Sequence, residues 1–209
     1  MKKNIFLKVI AIIWAISGIV ILAGVVWPII SYQAFSKGGD QDLLNPVVDL
    51  TKASNWFIGG ESSDVFNQSK VSYYNLSIPK LKINDAIVAI GGEDLFKNLI
   101  QYPGTTLPGK RGNSVIFGHS VLPIFYNPKE YISIFSTLPT LKIGDDILIN
   151  YDNISFKYRV ESIFEVYPTD IQVLQQDNSD SFLTLVTCVP PGDPRKAKRL
   201  IVRARVVPL

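Results

Sequence analysis

Two residues with complementary chemistry occur once each in this chain of 209 residues: Cys188 and His119. Cys188 ends the apolar run 181–188, and His119 follows the run 114–118. The thiolate is the reactive form of cysteine, and a neighbouring imidazolium or guanidinium lowers the pKa of a thiol. Imidazole can also protonate a departing amine. The pair therefore fits nucleophilic acyl transfer, although a solitary cysteine is equally compatible with packing as a small buried hydrophobe.

A third candidate, Arg199, lies in a carboxy-terminal segment that is basic and contains no acid after Asp193. A guanidinium supplies fixed donors that suit an oxyanion or a peptide carbonyl. The remaining basic side chains of the segment are interpreted as a solvated strand face: Arg195, Lys198, Arg203 and Arg205.

Short apolar runs separated by turns containing Pro and Gly must position these residues. They predict strands near 73–78, 86–90, 113–118, 146–151, 154–166, 181–188 and 200–207. Seven or so strands at this spacing indicate an all-β sandwich or closed barrel. Both faces of 182–188 are apolar, which predicts a central strand. If this strand pairs with an antiparallel strand beginning at Arg199, then Cys188 and Arg199 lie near one sheet edge, and His119 can join them there.

The amino-terminal region predicts a membrane anchor. Three lysines in the first eight residues precede an apolar stretch at 9–30, which matches the roughly 20 residues needed to cross a bilayer. The stretch exceeds the apolar core of a cleaved signal peptide, about 7 to 15 residues, and a buried core helix is the alternative. The excess of positive charge before it places residue 1 in the cytoplasm. The expected order is a cytoplasmic tail at 1–8, a single transmembrane anchor in membrane lipid at 9–30, an extracytoplasmic stalk at 31–69 and a β domain at 70–209.

Export and charge limit the function classes. The formal net charge of +3 is too small to indicate a nucleic-acid partner. Exported proteins usually carry cysteines in pairs, so one thiol outside the cell is a sign of reactivity or of intermolecular pairing.

Several motifs resemble those of the sortases, the membrane-anchored cysteine transpeptidases of bacterial surfaces. The segment Thr184-Leu-Val-Thr-Cys188 with the downstream Arg199 is similar to the TLxTC and Arg pattern of that family. The segment 112–119 is similar to the GNxxIxGH element, 76–80 to the first strand with its IPK-like sequence, and 102–109 to the PGT segment. The resemblance covers residues 70–209 and implies a closed β-barrel of about eight strands with short helices.

The resemblance also implies roles for individual residues. Cys188 would attack the Thr carbonyl of an LPxTG-like sorting signal, and His119 would protonate the leaving Gly amine and then deprotonate the incoming amine. Arg199 would bind the substrate backbone or stabilise the oxyanion. Thr187 and Thr184 are weaker candidates for positioning the substrate or oxyanion, and a structural hydroxyl is an equal alternative for Thr187.

The implied partners are surface proteins with LPxTG-like signals and an amine acceptor, either a peptidoglycan stem or cross-bridge precursor or a protein lysine. Acids at Glu93, Asp94 and Glu165 lie in regions comparable to the calcium-binding acids of some sortases, but scattered acids are usually solvated, so we expect no metal or other cofactor. Two other functions stay open: a secreted thiol peptidase that uses water to release the acyl group, and a surface binding module without enzymatic activity.

Overall fold

The computed structural model of the protein describes residues 14, 17, 18, 49–61, 72–193, 195 and 198–209. Eight strands close into a barrel in the order β1-β2-β3-β4-β7-β8-β6-β5. Their bounds are β1 (Ser72–Ile78), β2 (Ile83–Ile90), β3 (Leu99–Gln101), β4 (Gly112–Phe117), β5 (Asp146–Tyr151), β6 (Ile154–Val166), β7 (Ser181–Val189) and β8 (Lys198–Val207). The barrel is mixed, because β2–β3 and β4–β7 are parallel pairs. The expectation of a closed β-barrel is confirmed.

Strand β3 is the element that the sequence analysis did not predict. It has three residues, all buried, and is too short to show the alternation by which a strand is recognised. It pairs with β2 on one side and β4 on the other. Without it the barrel would be open between those two strands.

Short 3₁₀ helices accompany the strands, as expected: one precedes β1 and the others lie between strands. They cover Ala53–Trp56, Pro79–Leu81, Pro123–Phe125, Leu138–Thr140 and Ile171–Leu174. Proline lies in the first turn of three of them, where its fixed φ is compatible with a helix and its missing N–H costs nothing.

Two apolar clusters lie on opposite sides of the barrel wall. Side chains that point inward from neighbouring strands, among them Ile116, Leu185 and Val202, fill the interior. The alternate residues point outward and form a second cluster with Val115, Phe117, Val186, Cys188 and Ile201 at its base. We call this outward-facing surface the outer groove. Because β7 packs on both sides, every residue in it is buried, which confirms that it is a central strand.

The chain divides into two compact units, Met1–Leu44 and Asn45–Leu209. The first has described residues only at Trp14, Ser17 and Gly18, which are helical and exposed. No helix among the described residues is long and apolar enough to cross a membrane. The predicted tail at 1–8 and nearly all of the predicted anchor at 9–30 lie outside the described residues.

The described part of the predicted stalk is the segment 49–61, which we call the strap. It belongs to the same compact unit as the barrel. Its side chains Ala53, Trp56 and Phe57 are buried in the cluster of the outer groove. The strap is therefore part of the folded domain.

Candidate active site

The three predicted catalytic residues converge at one rim of the barrel. Strands β7 and β8 are antiparallel, and their register places Cys188 directly opposite Arg199. Strand β4 runs parallel to β7, with Phe117 opposite Val186, and the Gly118 N–H donates to the Val186 carbonyl at 3.1 Å. His119 therefore emerges beside the end of β7, close to Cys188.

The imidazole of His119 is held between aromatic rings and a tightly packed backbone. Its ring centroid lies 6.0 Å from that of Trp56 in an edge-on arrangement and 5.4 Å from that of Phe96. A Cβ on the preceding residue, Gly118, would lie 2.4 Å from Phe135 Cδ2. Only glycine allows the backbone at 118 to pack this closely against the Phe135 ring. This packing fixes the position of the backbone from which the His119 side chain projects.

Two hydroxyl groups form hydrogen bonds between the segment around His119 and the segment around Cys188. Thr187 Oγ1 donates to the Gly118 carbonyl at 2.8 Å, and Ser120 Oγ donates to the Cys188 carbonyl at 2.7 Å. Both hydroxyls are buried, so each bond satisfies a carbonyl that water does not reach. The residues on either side of His119 are thus bonded to β7. Ser120 was not predicted as a site residue; its position directly after the only histidine of the sequence was the available signal.

Thr187 and Thr184 occupy different places relative to Cys188. Thr187 is adjacent to Cys188 in β7, and neighbouring side chains of a strand point to opposite faces. The Thr187 side chain therefore projects from the inward face of the barrel wall. Thr184 shares the outward face but lies about 13 Å away along the strand. Thr184 Oγ1 donates to Asn113 Oδ1 at 2.7 Å, and Asn113 Nδ2 donates to the Val173 carbonyl at 3.2 Å. The structure thus connects Thr184 to the β6–β7 loop, at a distance from the thiol.

The guanidinium of Arg199 is buried, with only 2% of the residue exposed. Its Nε donates to the Trp56 carbonyl at 3.0 Å and its Nη1 to the Lys198 carbonyl at 3.2 Å. Burial lowers the pKa of Arg199 from its ordinary value, while the charge of Cys188 acts in the opposite direction. Because a guanidinium keeps its proton in proteins, Arg199 places a fixed positive charge beside the thiol.

The other arginines of β8 have different surroundings. The Arg203 guanidinium carbon lies 4.1 Å from the centroid of the Phe182 ring, and that of Arg205 lies 5.2 Å from it. Both side chains also form ion pairs with Glu161. They cover the outer face of the barrel far from Cys188, in agreement with their interpretation as structural residues.

A cleft of about 460 Å³ continues from the outer groove. Its walls come from the end of the strap, the β3–β4 loop and the β6–β7 loop. Tyr102 and Leu174 line the cleft and also pack in the cluster of the groove. The cleft therefore adjoins the outer groove through these two side chains.

The three acids considered for calcium each have a lysine partner. Glu93 pairs with Lys52 at 3.5 Å, Asp94 with Lys97 at 3.0 Å and Glu165 with Lys198 at 3.0 Å. Within the described part of the chain, no group of three metal-ligating side chains could hold an ion. The independence from metal stays a prediction.

Comparison with known proteins identifies the family. The model of the Sortase domain matches residues 76–207. The chain belongs to the sortase family. Sortase A of Bacillus anthracis is 26% identical to it over 220 residues, which cover 99% of this chain and 97% of that protein. The resemblance seen in the sequence motifs is therefore confirmed, and the protein is a cysteine transpeptidase.

Solved sortase structures have the same fold. Sortase A from Corynebacterium diphtheriae superposes with a TM-score of 0.58 at 29% identity, over 68% of this chain and 64% of that one. A Clostridium perfringens Sortase D5 transpeptidase superposes with a TM-score of 0.55 at 28% identity, over 65% of this chain and 79% of that one. The region that matches the family model, 76–207, contains Cys188, His119 and Arg199.

Proposed function

We propose that this sortase cleaves an LPxTG-like sorting signal between Thr and Gly and transfers the acyl group to an amine. The observation that carries the proposal is the register that sets Cys188 opposite Arg199, with His119 at the end of the adjoining parallel strand. The TLVTC motif at 184–188 and the similarity to Sortase A of Bacillus anthracis support this substrate class.

In the acylation step, the Cys188 thiolate attacks the Thr carbonyl carbon and forms a C–S bond. The carbonyl oxygen becomes an oxyanion, which the Arg199 guanidinium stabilises with donors that are already positioned. As the intermediate collapses, the C–N bond to Gly breaks, and the His119 imidazolium gives its proton to the departing amine. The products are a thioester on Cys188 and a peptide with a free amino-terminal Gly.

In the second step, the neutral His119 imidazole takes a proton from the incoming amine while the amine nitrogen attacks the thioester carbonyl. The C–S bond breaks, an amide forms and the thiolate with its imidazolium is restored. Acceptors of this chemistry are the amine of a peptidoglycan stem or cross-bridge precursor and the side chain of a protein lysine. No metal takes part in either step.

The experiment combines the full-length enzyme with an LPxTG peptide, with and without an amine such as triglycine, and identifies the products by mass spectrometry. Amide-linked product that depends on the amine is expected. Product that is the same with and without amine would instead indicate a thiol peptidase. A chain that does not act on any sorting-signal peptide, but retains a folded barrel, would contradict the proposed substrate class.

We also propose that residues 9–30 anchor the enzyme in the cell membrane in a single pass, with the amino terminus in the cytoplasm and the barrel outside. The apolar composition of this stretch and the preceding lysines support this orientation. Protease added to intact cells should degrade the barrel and leave only the amino-terminal fragment protected. Protection of the full-length chain would contradict the orientation.

A further inference from the structure

Gln176 lies between two of the loops that form the cleft. It belongs to the β6–β7 loop, residues 167–180, and it faces the β3–β4 loop, residues 102–111. We propose that Gln176 is a positioning residue: its side-chain amide bridges the two loops, so that the cleft has its shape before a peptide binds. This inference rests on the proposed function, because it treats the cleft as part of the surface that receives the sorting signal.

The amide oxygen of Gln176 accepts hydrogen bonds from both ends of the segment that leads into β4. At one end, the Thr106 hydroxyl donates to Gln176 Oε1 at 2.6 Å and the Thr106 N–H donates to the same atom at 3.3 Å. At the other end, the Asn113 N–H donates to it at 3.0 Å. The β6–β7 loop is therefore bonded to the β3–β4 loop and to the first turn of the chain into the barrel wall.

The amide nitrogen of Gln176 completes the network. Nε2 donates to the Asn113 carbonyl at 3.0 Å and to the Leu174 carbonyl at 3.4 Å. Because donors surround Oε1 and carbonyls face Nε2, only one orientation of the amide satisfies all of these groups. Gln176 is an exposed residue, and yet both polar atoms of its side chain bond to protein. This use of a surface amide distinguishes Gln176 from the other glutamines of the loop.

The backbone at Gly112 leaves room for the bridge. Gly112 has a φ of +133°, in a region that glycine adopts without a steric penalty. A Cβ at this position would lie 2.0 Å from Thr106 Oγ1 and 2.9 Å from Gln176 Oε1. Only glycine therefore permits the contact between Thr106 and Gln176 beside the start of β4.

A second connection links the β6–β7 loop to the strand that carries Cys188. The side chain of Asn113 is buried, and its Nδ2 donates to the Val173 carbonyl at 3.2 Å. Its Oδ1 accepts a hydrogen bond from Thr184 Oγ1 on β7 at 2.7 Å. Gln176 and Asn113 together hold the loop at a fixed position relative to β7, and only Gln176 extends this connection to the β3–β4 loop.

Leu174 is the cleft residue that the bridge positions directly. Its carbonyl accepts the bond from Gln176 Nε2, and its side chain lines the cleft and packs in the cluster of the outer groove. Without the bridge, a peptide would have to order this part of the loop as it binds. A preformed surface avoids that cost. Asn113 pairs with Phe182, at the opposite end of β7 from Cys188, so the bridge should affect peptide binding and leave the chemical steps unchanged.

Steady-state cleavage of an LPxTG peptide by the full-length enzyme in nanodiscs tests this role. Gln176→Ala should raise KM by about five- to tenfold, the effect of losing one or two hydrogen bonds. The value of kcat should stay within about twofold, because only binding is weakened. Gln172→Ala is the matched control, since Gln172 has the same side chain in the same loop but does not line the cleft. Its KM should equal that of wild type.

A double variant tests whether Thr106 and Gln176 act as a pair. Thr106→Val removes only the hydroxyl bond and should raise KM about two- to threefold. Gln176→Ala combined with Thr106→Val should have the same KM as Gln176→Ala, because the second substitution removes a donor whose acceptor is already absent. Fully additive effects would overturn the bridge. If Gln176→Ala fails to fold, Thr106→Val with its KM decides by itself.

Hydrogen exchange measures the loop without any substrate. The Ile171 N–H donates to the Thr169 carbonyl at 3.0 Å and the Gln175 N–H to the Gln172 carbonyl at 3.2 Å, so both report on the loop and neither bonds to the Gln176 side chain. In Gln176→Ala their exchange should be about fivefold faster. Unchanged exchange with a raised KM would show that Gln176 contacts the peptide itself, and faster exchange with an unchanged KM would show that loop order does not matter for binding. Either result would overturn the proposal.

Failure of the proposed function has a different appearance. In that case no enzyme, wild type included, cleaves the LPxTG peptide. Exchange of Ile171 and Gln175 would still be faster in Gln176→Ala than in wild type or Gln172→Ala, and this ranking would support the bridge between the loops.

Discussion

Cys188 on β7 and Arg199 on β8 are cross-strand partners at a single antiparallel register position. Both side chains point to the outer face of the barrel, where the guanidinium is buried beside the thiol. Because adjacent strands fix this pair by main-chain hydrogen bonds, the geometry does not depend on a mobile loop. It places a thiol and a permanent positive charge together at the base of the outer groove.

Replacing the nucleophile tests the assignment of Cys188. Cys188→Ala should abolish cleavage of LPxTG peptides, because no other side chain in the sequence is a thiol. The site is small and buried, so the free energy of unfolding should fall by only about 1 kcal/mol. Peptide cleavage and thermal unfolding are measured on the same preparation, and an active Ala variant would contradict the mechanism.

Arg199→Lys tests whether a planar donor is needed. A lysine retains the positive charge but cannot reproduce the fixed fork of donors, so kcat/KM should fall by about 10²-fold to 10³-fold, the cost of losing oxyanion donors. Arg203→Lys is the control on the same strand, and its kcat/KM should stay within about twofold because its ion pairs are at the surface. Near-normal turnover of Arg199→Lys would exclude the proposed role.

Thr187→Val separates the two interpretations of the Thr187 hydroxyl. Since Thr187 Oγ1 donates to the Gly118 carbonyl, the variant leaves a buried carbonyl without this donor, and the free energy of unfolding should fall by about 1–3 kcal/mol. We expect kcat to decrease less than tenfold under conditions where the variant is folded. A loss of about 10²-fold or more in kcat with unchanged stability would instead assign the hydroxyl to the oxyanion.

Removal of calcium should leave the activity unchanged. The carboxylates of Glu93, Asp94 and Glu165 already have lysine partners, and an ion would have to displace these contacts. Initial rates are compared in EDTA and in millimolar calcium chloride. A calcium-dependent rise in rate that Glu93→Gln removes would show that a site forms in solution.

Asp146 on β5 should make a pH-dependent contribution to the free energy of unfolding. A hydrogen bond from Lys157 and a second from Arg159 lower the pKa of the Asp146 carboxyl, with nitrogen to oxygen distances of 3.0 Å for both. A lowered pKa stabilises the fold above the unfolded-state pKa of about 4. This contribution is lost as the pH falls through the lowered pKa.

Asp146→Asn should therefore be less stable than wild type at pH 7 by about 1 kcal/mol or less, because the pair is partly exposed to solvent. The difference in unfolding free energy should disappear as the pH falls from about 4 toward 2. At pH 7 it should also shrink in about 1 M NaCl, which screens surface charges. A difference that is the same at every pH would show that the loss comes from packing.

The sequence was sufficient to predict the strands from which the candidate site residues project. Side-chain direction alternates along 182–188, so Cys188 lies on the outward face while Leu183 and Leu185 lie on the inward face. Whether this strand pairs with the one that begins near Arg199 was left as a condition, and the register shows that the two are antiparallel neighbours. Such inferences succeed because side-chain direction alternates along a strand and is a local property.

Two parts of the site depended on contacts between distant segments. Strand β3 has three residues, too few to show a period, and it exists because β2 and β4 supply its hydrogen-bonding partners. The strap has the composition of a linker, with Gly59 and Gly60 beside polar residues. It is buried because the Trp56 indole packs on the Phe117 ring. No local sequence pattern predicts a contact between such distant residues.

The sequence by itself thus determined the family of the chain and the strands that hold the three candidate residues, because motif residues and strand periodicity lie within short segments. Only the tertiary structure decided that the Trp56 indole lies beside His119 and that the Trp56 carbonyl accepts a hydrogen bond from Arg199 Nε. The hydrogen bond joins residues 143 positions apart, and both contacts arise from the shape of a groove that exists only once the barrel has closed.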